Sequence, residues 1–75
     1  MTWNYRVVKK SCDNLVGGID TIFNIHECFY DDNGKPEAIT EDPVYPQGET
    51  LKELKDDIKF YLQALERPVL NYEDF

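Results

Sequence analysis

Seventy-five residues, 41% hydrophobic and 13% aromatic, suffice for one small core, and they exclude a disordered chain, a membrane-spanning helix and a scaffold held by many disulfides. A formal net charge of −7 argues against direct binding to nucleic-acid phosphates. The expectation is one α+β domain over residues 1–75, with a core at 3–67 and a tail at 68–75. It is expected in the cytoplasm and off the membrane, because Met1-Thr2-Trp3-Asn4-Tyr5-Arg6 lacks a signal-peptide pattern. Cys12 and Cys28 are expected to remain reduced thiols.

Residues 3–10 read as a first strand, since Trp3, Tyr5 and Val7 alternate with Asn4 and Arg6 at the period of two. Ser11-Cys12-Asp13-Asn14 and Gly17-Gly18 supply turn chemistry, so a connection of about eight residues is expected. The strongest strand signal covers residues 19–30, with Thr21, Phe23, Ile25 and Phe29 on one face. Ile22, Asn24, His26 and Cys28 occupy the other. Glu27, a charge on the apolar face, is expected near a sheet edge. Asp31-Asp32-Asn33-Gly34-Lys35 marks a hairpin, because Asn-Gly takes the positive φ angles of a tight turn. A third strand is expected over residues 37–41, ending before Pro43.

Thr50-Leu51-Lys52-Glu53 forms a capping box that opens a helix. Leu51, Leu54, Ile58, Tyr61, Leu62 and Leu65 then recur at helical spacing as one apolar stripe, and Pro68 ends the helix. Three antiparallel strands followed by one helix predict a β-β-β-α two-layer fold: the helix covers one sheet face and the other stays open. Two free edges would invite a second copy or a partner strand.

The order of these elements, with Pro46-Gln47-Gly48-Glu49-Thr50-Leu51-Lys52-Glu53-Leu54 and Asp57-Ile58, resembles the HicB-like antitoxin family. The resemblance covers residues 3–65 in outline and is specific over residues 46–58. It implies a partial ribonuclease-H-like fold, no catalytic activity, and a small HicA-type ribonuclease as partner; no cofactor is expected. No DNA-binding module follows the helix, so autoregulation through DNA is not expected.

The charge is unevenly placed. Residues 1–30 sum to zero, and residues 31–75 set twelve carboxylates against five cations. A basic protein partner is the natural complement of that half. Glu53, Asp56, Asp57 and the outward-pointing Phe60 are the candidate partner-binding residues. Phe60 lies about 180° from Leu51 around the helix and marks either an interface or a spot covered by Val69, Leu70, Tyr72 and Phe75 of the tail. Asp56 and Asp57 point about 100° apart, too divergent for a metal site, and read as a face salt-bridged to Lys52, Lys55 and Lys59. His26 and Cys28, even with Cys12, lack the four-ligand pattern of structural zinc and read as polar residues of the open face. The leading expectation is a non-catalytic protein-binding module. The alternatives are an acidic mimic of nucleic acid that blocks a DNA- or RNA-binding enzyme, and a homodimer without separable activity.

Overall fold

Twelve consecutive residue pairs, from Thr2 opposite Tyr30 to Asp13 opposite Ile19, join β1 (Thr2–Asp13) to β2 (Ile19–Tyr30) in a long antiparallel hairpin. The protein is a computed structural model describing residues 2–13 and 15–75. Met1 and Asn14, the latter part of the expected first turn, lie outside the described residues. β1 is longer than its own alternation predicts, because the β-prone run Ile19 to Asn24 draws polar Lys10, Ser11 and Cys12 into register opposite it.

The second hairpin departs from a two-residue Asn-Gly turn. Gly34 has φ 78° and no described non-glycine residue has positive φ, so Asn33 stays in ordinary backbone space. The Gly34 amide donates to the Asp31 carbonyl at 3.0 Å and the Asp31 amide to the Lys35 carbonyl at 2.9 Å, a turn closed by one left-handed glycine. The Asp31 carboxylate selects it by accepting from the amides of Asn33 and Lys35, each at 2.9 Å. β3 (Pro36–Ile39) then pairs antiparallel with the end of β2, with a register shift between Phe29 and Tyr30.

α1 (Leu51–Ala64) follows, and after it β4 (Leu70–Asn71) lies parallel to β1, Val8 opposite Leu70 and Lys9 opposite Asn71. The sheet is therefore four-stranded and mixed, in the order β3-β2-β1-β4, rather than three-stranded and antiparallel. β3 and β4 run the same way, so α1 is the crossover between the two edges of the sheet. Two residues in parallel pairing, set by a partner sixty residues away, leave no periodic signal in the sequence.

The tail also closes the face expected to be open. After β4 a 3₁₀ turn (Tyr72–Asp74) sets the Tyr72 ring 6.0 Å from His26, with Lys10 Nζ 4.3 Å from the Tyr72 centroid. The Glu73 carboxylate accepts from the Ser11 amide at 3.2 Å. Behind this strap Arg6, Val8, His26 and Cys28 are all buried. Arg6 donates through Nη1 to the Tyr30 hydroxyl at 2.8 Å and through Nη2 to the Pro68 carbonyl at 2.6 Å, and Tyr30 donates in turn to Asn4 at 2.7 Å. The tail thus lies opposite to α1 and does not cover Phe60.

On the other face α1 packs mainly on β1, and it does so through the margin of its apolar stripe. Tyr61 stacks on Tyr5 with ring centroids 4.3 Å apart, and Ala64 is fully buried. At about 100° per residue, this contact direction lies roughly 70° from the middle of the stripe. Small Ala64 lets the helix approach the sheet and the tyrosine stack fixes its rotation. Leu51, Ile58, Leu62 and Leu65 are left exposed, contrary to the expectation that the whole stripe is buried.

Candidate functional site

The rotation of α1 turns its acidic flank toward the chain that precedes it. An open cleft of about 500 Å³ runs between the helix and residues 43–48. Glu53, Asp56, Asp57 and Phe60 form the helical wall, so all four expected partner-binding residues line one cleft. Its floor holds Tyr5, Tyr61 and Glu27, and Val44 and Tyr45 form the opposite wall. Among the described residues no lysine or arginine lines it.

Glu27 was expected near an edge, yet β2 is an inner strand. A carboxylate is tolerated there because the cleft keeps it wet: Glu27 is half-buried opposite Tyr5. Tyr61 beneath it is buried, and desolvation first, then its hydrogen bond with Tyr5, then the charges of Asp57 and Glu27 push its hydroxyl well above the ordinary tyrosine value. That combination keeps the Tyr61 hydroxyl neutral beside Glu27 and the acidic helical wall.

The acidic residues play different parts. The Asp57 carboxylate accepts from the Gln47 amide at 2.9 Å, and Glu53 Oε2 accepts from the Glu49 amide at 2.9 Å. The Thr50 hydroxyl accepts from the Glu53 amide at 3.1 Å as the expected N-cap. Glu53 thus reaches one residue beyond the capping box it was expected to complete. Both carboxylates bind the loop to the helix, and part of their charge is spent on amides.

Gly48 permits that approach. A Cβ there would lie 2.5 Å from the Leu54 amide nitrogen and 2.8 Å from both the Glu53 carbonyl carbon and Cβ, distances that require the backbone to move. Asp56 pairs with Lys59 at 3.7 Å on the exposed rim, the one ion pair among the described residues. The wider set of lysine contacts expected around Asp56 and Asp57 does not form, because Asp57 is turned to the loop. Phe60 is 55% exposed at the mouth of the cleft.

The remaining candidates lie elsewhere. His26 and Cys28 are buried under the tail rather than displayed, and His26 Nδ1 sits 2.9 Å from the Thr40 carbonyl, which satisfies a ring N–H. Burial pushes the Cys28 thiol up, partly offset by Tyr30 and Arg6. Cys12 is exposed, and both thiols are free. Cys12 faces Asp20, eight positions along β2 from Cys28, or about 26 Å at strand rise, too far for a bridge. No cluster of three or more potential metal ligands exists among the described residues, and no helix among them is long and apolar enough to cross a membrane. Tyr5, Glu27 and Tyr45 were missed as cleft residues. Their pairing with α1 depends on the rotation of the helix, which the sequence pattern misstates.

Comparison with known proteins finds no matching family model, no similar curated protein and no similar solved structure.

Proposed function

We propose that this chain is a non-catalytic, cytoplasmic protein-binding module that receives a basic segment of its partner in the cleft beside α1. The observation that carries this reading is the composition of the cleft: four carboxylates and several aromatic rings, with no lysine or arginine among the described residues that line it. A lysine or arginine entering it would meet Glu27, and Asp56 in exchange for its exposed pairing with Lys59, as counter-charges, and the faces of Phe60 and Tyr45 as cation–π partners. The HicB-like resemblance of residues 46–58 supports the same reading, because those residues build the loop and helical wall of the cleft. A small HicA-type ribonuclease is the partner that the resemblance implies. An acidic mimic of nucleic acid would use charges spread over the surface and would have little need of aromatic walls, so the cleft favours the first reading.

The test is calorimetric titration of the full chain with a short arginine-rich peptide and with a glutamate-rich peptide of equal length. Binding of the basic peptide alone is expected. Phe60→Ala, which changes no charge, should weaken it by about tenfold, in the range of a lost aromatic anchor. Asp32→Asn, which removes one charge remote from the cleft, should leave it nearly unchanged. Equal binding by the Phe60 variant and the wild type would show that the attraction is diffuse and the cleft is not the site.

A further inference from the structure

β3 covers only one end of β2. It pairs with Cys28, Phe29 and Tyr30, after which the Thr40 amide reaches the Glu27 carbonyl at 3.0 Å and the Val44 amide reaches the Ile25 carbonyl at 2.8 Å. Those carbonyls point away from β1, so at the period of two the amides and carbonyls of Ile19, Thr21 and Phe23 point the same way. No strand among the described residues pairs with them.

This edge has little of the usual protection, with Asp20 its single charge. Ile19-Asp20-Thr21-Ile22-Phe23 has no proline and no lysine, and Ile19, Ile22 and Phe23 are 72%, 46% and 59% exposed. A long edge with bare apolar side chains is a template for another strand. The size of the molecule agrees. The chain of 8.8 kDa exposes 5787 Å², against about 4,800 Å² for a folded monomer of that mass. Its radius of gyration is 14.1 Å and its thinnest extent 20 Å, against a radius of about 11 Å for a compact domain of this length. The surplus surface is of the order of the ~800 Å² that one partner brings to a stable interface.

We propose that β2 is the contact of a homodimer, in which two copies pair Ile19 to Phe23 edge to edge, antiparallel, across a two-fold axis at Thr21. Antiparallel pairing of identical edges is two-fold by construction. In this register Thr21 lies opposite Thr21 of the second copy and Phe23 opposite Ile19 of the second copy. Both are favourable cross-strand pairs. Asp20 faces Ile22 of the second copy, so like charges are not opposed. Residues 1–30 carry no net charge, so the neutral part of each chain meets its equal while the acidic parts, which hold the whole −7, stay apart. The same neutrality disfavours a strongly basic partner at this edge, and nothing in the pairing depends on the cleft beside α1.

Sedimentation of the full chain at concentrations up to about 100 μM tests the proposal, with folding followed by circular dichroism. The wild type is expected to associate to a dimer. Thr21→Pro removes an outward amide without touching the ladder to β1, and Phe23→Lys places a charge on the edge. Each should raise the dimer dissociation constant by roughly tenfold or more. Leu62→Glu, on the exposed stripe of α1, should leave it unchanged. If Thr21→Pro fails to fold, Phe23→Lys alone decides. A monomeric wild type, a dimer indifferent to both edge changes, or a dimer lost through Leu62→Glu would each overturn the assignment.

Discussion

At position 48 the difference between hydrogen and a methyl group decides whether the cleft has a second wall. Gly48 does not need a left-handed backbone. It needs space, because an added Cβ meets backbone at 2.5 Å in the first turn of α1. Gly48→Ala is therefore expected to push residues 46–49 off the helix, stretching the bonds from Gln47 to Asp57 and from Glu49 to Glu53, at a cost of about 1–3 kcal/mol, typical of overpacking. Urea denaturation measures it, and an unchanged midpoint would show that the loop yields freely. Single residues were unevenly legible in the sequence. Thr50 could be read as an N-cap because its bond is local, three residues long. Arg6 could not be read as buried, since its acceptor is the carbonyl of Pro68, 62 residues on. His26 and Cys28 looked surface-facing for the same reason: what covers them comes from the far end of the chain.

At the scale of elements, α1 shows how far amphipathic spacing reaches. The apolar spacing gives the existence of the helix and the capping box its start at Leu51, but neither says which side of the stripe meets the sheet. That side is chosen by the Tyr5 and Tyr61 stack and by the small volume of Ala64. The two halves of the stripe should therefore respond differently to substitution. Leu62, 57% exposed, should accept Leu62→Glu with a change within about 0.5 kcal/mol, as surface positions do. Tyr61→Ala should cost about 3 kcal/mol, since it removes a buried ring from a small core. Thermal melts of both variants check this. Comparable losses would restore the centred stripe and shift the cleft with it. The bounds of β2 at 19–30 were legible because its alternation is strong and its flanks are turns. β4 was not, because two residues carry no period.

On the scale of the whole molecule, the core lies in two thin layers on either side of β1 and β2, and each layer holds one group that resists ionisation. Tyr61, under α1, has its hydroxyl held above the ordinary value of 10.0 by burial, by Tyr5, and by the negative charges of Asp57 and Glu27. Cys28, under the tail, has its thiol held above 9.0 by burial. Both groups are neutral in folded and unfolded chains at lower pH, so neither changes stability with pH there. Above their ordinary values the unfolded chain releases protons that the folded chain still holds, and stability falls as pH rises toward the folded values. From neutral pH the urea midpoint is therefore expected to be level up to about pH 9 and to decline beyond it, on the side where the unfolded chain binds fewer protons. Tyr61→Phe keeps the ring and removes the titrating hydroxyl, so it should flatten the decline above pH 10. Cys28→Ala should remove the part that begins near pH 9. The two effects should add, because the groups lie on opposite faces of the sheet and share no partner. A midpoint that stays level through about pH 11 would show that neither buried group carries the expected cost, and a decline that neither substitution changes would place the alkaline weakness outside these two layers.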